Sequence, residues 1–319
     1  MKNNSPSLLE VDLKLGFICN QNCRHCAVAG KRHVPAPSFT EVCTEIEFYR
    51  DRGAARLVLT GGEPTLRRDL VEIVRYAARG GFDDIHLQTN ATGLANGQLA
   101  SQLAKAGLTS ALVSLHGPSA EVHDRIVRHP DGFAHTVAGL HTLQRQGVRL
   151  ATNTVVTRDN VAHLLEIVQF VAEEFPGLCT MCFSYPQVTG GARTHFQEIV
   201  PRLSTTTAYL LEALPVADRR GIWCWVSDFP LCGLPGYEEH SADVVPRRAV
   251  GTDPSRPDGE NRVTDYHRLS QTSKVKPSVC ADCDLAPICL GVDAHYIAVY
   301  GSDELNPRRV LSGRRPRLL

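Results

Sequence analysis

The chain carries no excess of charge: 34 Lys and Arg stand against 34 Asp and Glu. A surface built for a polyanion such as nucleic acid is therefore not indicated by the total, although a local basic patch is compatible with it. There is also no apolar run approaching the ~20 residues needed to cross a bilayer. Near the N-terminus Glu10, Asp12 and Lys14 interrupt any continuous apolar segment. Neither a membrane span nor a signal peptide is expected, and the reading is a cytoplasmic protein. No internal repeat is visible beyond an alternation of strand and helix patterns. The arginines near the C-terminus, Arg308, Arg309, Arg314, Arg315 and Arg317, read as a short solvated or frayed tail.

Cysteine, in contrast, is abundant. Eleven cysteines in a chain that is 43% hydrophobic and 21% charged describe an ordinary globular composition with unusual redox or metal capacity. In a reducing cytoplasm they point to metal or redox chemistry rather than to disulfides.

From about Leu8 to Tyr185 short β-type runs alternate with longer helical patterns. The runs LEVDLKLGFI, RLVLT, DIHLQT, SALVSLH, VRLATNTVV and LCTMCFSY read as six strands. Between them FTEVCTEIEFYRDRG, LRRDLVEIVRYAARGG, GQLASQLAKAG, GFAHTVAGLHTLQRQG and NVAHLLEIVQFVAEEF have helical spacing. Repeated strand–helix units with short links demand a parallel sheet with right-handed crossovers. Periodicity leaves open whether that sheet is doubly wound or a partial barrel. In both, the chemistry sits at the carboxyl ends of the strands. After Tyr185 a helix (TTTAYLLEALPVADRRG) and a strand (IWCWVSDF) are expected. Residues 240–277 then lack periodicity and read as a functional loop or linker.

Two motifs follow strands directly. The first expected strand runs to Ile18, and CNQNCRHC begins at once, placing Cys19, Cys23 and Cys26 at C-x3-C-x2-C spacing. Three thiolates on one tight loop can hold three irons of a [4Fe–4S] cube and leave the fourth iron open. A zinc site with His25 or His33 as fourth ligand has the same spacing. The second expected strand, RLVLT, runs into Gly61, Gly62, Glu63 and Pro64. Two glycines let backbone approach a ligand closely, and the Glu63 carboxylate can receive an ammonium group.

In this order and separation, CxxxCxxC and GGEP resemble the two marks of the radical S-adenosylmethionine (radical SAM) superfamily. The resemblance covers roughly residues 8–190 and implies a partial (β/α)6 TIM-like barrel, with a [4Fe–4S] cluster and S-adenosylmethionine as cofactors. It implies that Cys19, Cys23 and Cys26 are the cluster ligands and that Gly61, Gly62, Glu63 and Pro64 receive the methionine amino group. His25 then falls at the position packing near the adenine, and Thr89 and Asn90 at a strand end with polar cofactor contacts. VSLHGPSAEVHDRIVR resembles the strand-four stretch of the family. Ser114 thereby matches a contact to the cofactor carboxylate or ribose, and Arg128 an arginine that pairs with the carboxylate. His116 replaces the usual Asp, and Asn153 is a plausible cofactor or substrate contact.

Cys280, Cys283 and Cys289, spaced C-x2-C-x5-C, would alone fit a zinc knuckle. They resemble the half-size, "twitch" form of the SPASM auxiliary-cluster domain. That resemblance implies one auxiliary [4Fe–4S] cluster, with Cys232 as its fourth ligand. The domains read as a core over 1–195, a connecting region over 196–277 and an auxiliary segment over 278–319. Cys43 reads as buried packing, whereas Cys182 and Cys224 are candidate hydrogen-atom donors.

The compact size and single auxiliary cluster resemble enzymes of antibiotic biosynthesis acting on a sugar- or cyclitol-like small molecule. The expected outcome is epimerisation or dehydrogenation, epimerisation being favoured by the spare cysteines. A reductant such as flavodoxin or ferredoxin is implied, and no nucleic-acid or membrane partner is expected. Two alternatives stay open. One is a peptide maturase, against which counts the lack of room for a recognition domain before the first strand. The other is a non-catalytic zinc-binding interaction protein.

Overall fold

The computed structural model of the chain describes residues 9–245, 248–252, 264–265 and 272–309. Arg314, Arg315, Arg317 and much of the aperiodic stretch 240–277 fall outside the described residues.

The expected alternation is present as β1 (Leu9–Lys14), α1 (Phe39–Arg50), β2 (Ala54–Thr60), α2 (Leu70–Arg79), β3 (Asp84–Thr89) and α3 (Gln98–Ala106). It continues through β4 (Ser110–Ser114), α4 (Ala120–Val127), α5 (Gly132–Arg145), β5 (Arg149–Val155), α6 (Leu164–Glu174) and β6 (Thr180–Ser184). Two short helices, α7 (Gly190–Thr194) and α8 (Phe196–Ile199), precede α9 (Leu203–Arg219) and β7 (Trp223–Ser227). The strand order is β7-β6-β5-β4-β3-β2-β1-β8-β9, where β8 is Arg248–Gly251 and β9 Thr264–Asp265. Every neighbouring pair is parallel except β8 with β9.

That order decides between the two architectures left open by periodicity. From β1 to β7 each strand is added on the same side of the one before, without the reversal that a doubly wound sheet requires. Right-handed crossovers then put the helices on one face, and the twisted sheet curls into a half-barrel. The sheet is longer than six strands: β7 pairs with β6, and β8, drawn from the aperiodic region, pairs with β1. Strand one also ends at Lys14, four residues before Ile18, although Leu15 still donates to the Thr60 carbonyl.

Alternation along the strands separates the two faces. Leu13, Leu57, Leu59, Ile85, Leu87, Ala111, Val113, Met181 and Phe183 are buried in one continuous core with helix residues such as Ile46, Ile73, Leu103, Leu140 and Ile167. The residues between them, including Asp12, Lys14, Thr60, Gln88, Ser114, Asn153, Cys182 and Ser184, point the other way. The half-barrel therefore has a polar inner face. No described helix is long and apolar enough to cross a membrane.

The C-terminal part closes back on the barrel. A two-stranded ribbon joins β10 (Lys274–Val275) to β11 (Val292–Asp293) and leads into a final helix, Ala294–Tyr300. Tyr296 on that helix is 1% exposed. Its hydroxyl accepts from the Leu203 amide at 2.9 Å and donates to Glu304. Glu304 in turn accepts from Arg202 Nε at 3.0 Å and from Ser204. Tyr296→Phe leaves the Leu203 amide and Glu304 without this partner. It should lower stability by about 1–3 kcal/mol, and hydrogen exchange should speed up first around Leu203 and the final helix.

Candidate active site at the carboxyl ends of the strands

Cys19, Cys23 and Cys26 all line one cavity of about 650 Å³ at the carboxyl ends of β1 to β4. Between Leu15 and Ser38 the chain's only regular element is a 3-10 turn, Ala29–Lys31. The loop is shaped by its neighbours. Asn22 N–H donates to the Val127 carbonyl at the end of α4, at 3.0 Å. Arg67 braces the other end: its guanidinium grips both carboxylate oxygens of Asp69 and reaches the carbonyls of Leu15 and Pro37.

Gly61 and Gly62 act on this loop. Gly62 and Glu63 donate their amides to the carbonyls of Gly16 and Ile18, each at 2.8 Å. A Cβ at Gly61 would stand 2.2 Å from Gly16 O, and one at Gly62 2.2 Å from Ile18 O. The close approach expected toward a ligand is thus made to the cysteine loop. Glu63 is 4% exposed and accepts from Thr65 N, Thr65 Oγ1, Thr89 Oγ1 and Asn90 N at 2.6–3.0 Å. Burial raises its pKa while the four donors pull the other way. Its carboxylate ties the loop after β2 to the loop after β3. Asn90 is similarly engaged: Nδ2 donates to Asn20 Oδ1 at 2.8 Å and lies 3.9 Å from Cys19 Sγ.

A second glycine pair, unnoticed in the sequence, does the same work from the opposite side. Gly191 N–H donates to the Cys26 carbonyl at 3.1 Å. A Cβ there would lie 1.9 Å from Arg24 O, and one at Gly190 2.6 Å from Cys26 O. The signal was available, since TGGART follows a strand end as GGEP does.

The structure brings His25, Gly61, Gly62, Glu63, Thr89, Asn90 and Ser114 to the cavity wall with the cysteines. Arg128 is not there. It caps α4 in the left-handed region (φ 53°) and is exposed. Pro64 is buried at the start of a 3-10 turn and does not line the cavity. Asn153 lies inside the half-barrel in register with Ser114 and Cys182. Its Oδ1 accepts from Ser184 Oγ at 2.7 Å, Ser184 Oγ accepts from Ser227 Oγ at 3.0 Å, and Cys182 Sγ is 3.5 Å from Ser184 Oγ. Cys224 corrects the expectation made for it. It is 0% exposed in the core on the helix side of the sheet, and burial pushes its thiol far up.

The three thiols fit an iron–sulfur cluster as a donor set. Burial, then the neighbouring Cys26 and Cys19, push the Cys23 thiol up to about 12. Ionising it beside the others is unfavourable until a cationic group shares the charge. Among the described residues no three His, Cys, Asp or Glu side chains form a site for a single metal ion. Neither His25 nor His33 completes such a site, and the His25 ring meets His116 edge-on at 4.8 Å. His116 Nδ1 accepts from Val155 N and His123 Nδ1 from His116 N, which places the remaining proton of each neutral ring on Nε2.

Cys232, Cys280, Cys283 and Cys289 are gathered around a second, small apolar pocket with Leu231, Leu285 and Leu305. Burial, with the other three thiols nearby, pushes Cys232 up to about 11. Backbone amides of Gly291 and Arg308 donate to Cys289 Sγ and Cys283 Sγ, each at 3.4 Å.

Fold and site together describe a parallel half-barrel with three thiols gathered in a cavity at its open end. Residues 13–171 match the radical SAM superfamily, and the chain belongs to that family. An AdoMet-dependent heme synthase of Oleidesulfovibrio alaskensis is 34% identical over 169 residues, 52% of this chain and 43% of that one. A probable GTP 3',8-cyclase of Metallosphaera sedula is 32% identical over 169 residues, 52% of each chain. The matched part spans about half the length of these curated relatives. Among solved structures, Streptococcus suis SuiB bound to S-adenosylmethionine superposes with a TM-score of 0.63 at 14% identity, over 95% of this chain and 76% of that one. This last likeness is one of fold.

Gly191→Ala should lose about 1–3 kcal/mol of stability, because backbone must move to admit the methyl group. Gly30→Ala, with nothing within 4 Å of its Cβ, should stay within about 0.5 kcal/mol; urea unfolding of both variants measures the difference. A second expectation concerns pH. Burial, then His25, push fully buried His123 down to about 4, whereas an unfolded histidine takes its proton near 6.5. Between these values the unfolded chain holds more protons, so stability falls as pH drops from about 6.5 to about 4. The urea midpoint should fall from pH 7 to pH 5, and His123→Gln should flatten that slope.

Proposed function

We propose that Cys19, Cys23 and Cys26 ligate a [4Fe–4S] cluster, and that this radical SAM enzyme takes a hydrogen atom from a sugar- or cyclitol-like small molecule. The outcome is epimerisation or dehydrogenation, of which we favour epimerisation. When bound, the cluster supplies the electron that splits S-adenosylmethionine into methionine and a 5′-deoxyadenosyl radical. The carrying observation is the cavity beside the cysteine loop. Its volume of about 650 Å³ lies within the range of small-molecule sites. Its wall includes the polar inner face of the barrel, with Asp12, Lys14, Thr60, Gln88 and Ser114, groups suited to hydroxyl-rich ligands.

In this reading the chain's residues orient the substrate, exclude water and deliver hydrogen. Cys182 is the donor we favour, since it occupies the inner face and Cys224 does not. Its S–H gives a hydrogen atom to the substrate carbon radical, and one electron and one proton then restore the thiol. Cys232, Cys280, Cys283 and Cys289 would hold a second cluster with a closed set of four thiolates, suited to electron transfer. A flavodoxin- or ferredoxin-like reductant would supply electrons. The peptide-maturase alternative has the fold likeness to SuiB behind it, which includes a complex with the precursor peptide SuiA. The non-catalytic zinc alternative is set aside by the family membership.

Anaerobically reconstituted protein should be brown and, with reductant, release 5′-deoxyadenosine from S-adenosylmethionine. In deuterated water the product of a sugar or cyclitol substrate should carry deuterium. Cys182→Ala should abolish that label while still forming 5′-deoxyadenosine, and Cys224→Ala should retain it. Retention of the label in Cys182→Ala would remove the basis for this donor.

A further inference from the structure

Gln21 lies between two of the three cysteines and is 3% exposed on the cavity wall. Its backbone N–H donates to Cys19 Sγ at 3.4 Å. Its side-chain Oε1 accepts from the Cys23 thiol at 3.7 Å, and its carbonyl accepts from Arg32 Nη2 at 2.5 Å. Its Nε2 is buried and has no hydrogen-bond partner among the described residues. An orphaned buried donor costs about 1–3 kcal/mol, and orphaned N–H groups are rarer in folded proteins than under-satisfied carbonyls.

Cluster binding changes what Cys23 needs. As a free thiol it donates to Gln21 Oε1, with the Val127 carbonyl also 4.0 Å away. As a thiolate on iron it has no hydrogen to give and can only accept. Both oxygens would then face a negatively charged sulfur. The Val127 carbonyl is fixed at the end of α4 and already takes the Asn22 amide. The Gln21 carboxamide is adjustable, because turning it end for end exchanges O and N within the same volume. Turned, it offers Nε2–H to Cys23 Sγ and leaves an oxygen, the less costly group, where the orphaned donor was.

We propose that Gln21 is a positioning residue for the cluster, donating one N–H···S bond from its backbone to Cys19 and one from its side chain to Cys23. These bonds favour the more negative, reduced cluster and so raise its reduction potential. The inference rests on the radical SAM reading of the cysteine loop.

The test begins with iron content. Wild-type protein that takes up no iron overturns the reading of the loop, and this proposal with it. In iron-loaded protein carrying glutamine labelled with nitrogen-15 only at the side-chain amide, pulsed EPR of the reduced cluster should show coupling to that nitrogen. A loaded cluster without the coupling overturns the role of Gln21 alone, whether or not any variant assembles. Gln21→Leu should lose the coupling. At fixed potential its ratio of reduced to oxidised cluster should fall about tenfold, a midpoint about 59 mV lower for one electron. Gln21→Glu, which replaces the donor with a carboxylate, should fall at least as far. An unchanged midpoint in fully loaded Gln21→Leu would also overturn the proposal.

Discussion

Backbone laid on backbone holds the cysteine loop in place. The amides of Gly62 and Glu63 meet the carbonyls of Gly16 and Ile18, and the amide of Gly191 meets that of Cys26. At Gly62 and Gly191 any side chain would fall within about 2 Å of a carbonyl oxygen, closer than non-bonded atoms can approach. The loop has almost no regular structure of its own, so its shape is imposed by loops after β2 and β6, the end of α4 and the Arg67 guanidinium. Glu63 joins this frame to β3 through four accepted hydrogen bonds. The positions of the three thiols are thus set by several strand ends at once. This is the preorganisation expected where a reactive group must be held to a fraction of an ångström.

Much of this frame was legible in the sequence for a local reason. Period-2 and period-3.6 patterns report burial on one face, and they found six strands and the helices between them. What they do not report is strand order. The reversal that separates a doubly wound sheet from a barrel is set by long-range packing, so periodicity left both open, and it was the resemblance carried by CxxxCxxC and GGEP that pointed to the partial barrel found here. Strand β8 was missed because four residues in an aperiodic, Pro- and Arg-rich stretch carry too short a pattern to register. Cys182 and Cys224 lie on strands whose alternation was visible, but the inner face was not, because the polar interior and the helix side both contain small residues.

A polar inner face is an unusual way to fill a barrel, whose interior more often packs with branched apolar chains. It persists here because its groups are paired. Asp12 meets Lys14 at 2.9 Å, Arg56 lies between Glu10 and Asp84, and Thr60 Oγ1 donates to Gln88 Oε1. His86, pushed down to about 3 by burial and then by Arg56, stays neutral against Ser110. Where such groups are hydrogen-bonded the network is rigid and holds its donors and acceptors in fixed directions, whereas buried Arg56 Nε makes its ion pairs without a hydrogen bond.

The cavity is divided in origin. The stretch that matches the superfamily, residues 13–171, supplies the cysteines, the glycine loop after β2 and the ends of β3 and β4. Besides Glu10 and Asp12 of β1, the remaining wall comes from later residues, including Tyr185 to Thr189 after β6, Asp228 after β7, Lys274 on β10, and Val292, Asp293 and Tyr296 at the final helix. Lys274 is held there by Asp228 at 3.1 Å and Asp243 at 3.3 Å. Pro230 and Val292 border both this cavity and the second cysteine pocket, so the C-terminal segment is packed as part of the site. The half that matches the family contributes the three cysteines and the glycine loop to the cavity, while residues outside that match complete its wall. Membership therefore speaks to how a radical is generated. The molecule that receives it must be read from the residues outside the family match that line the same cavity, Lys274 and Asp228 among them.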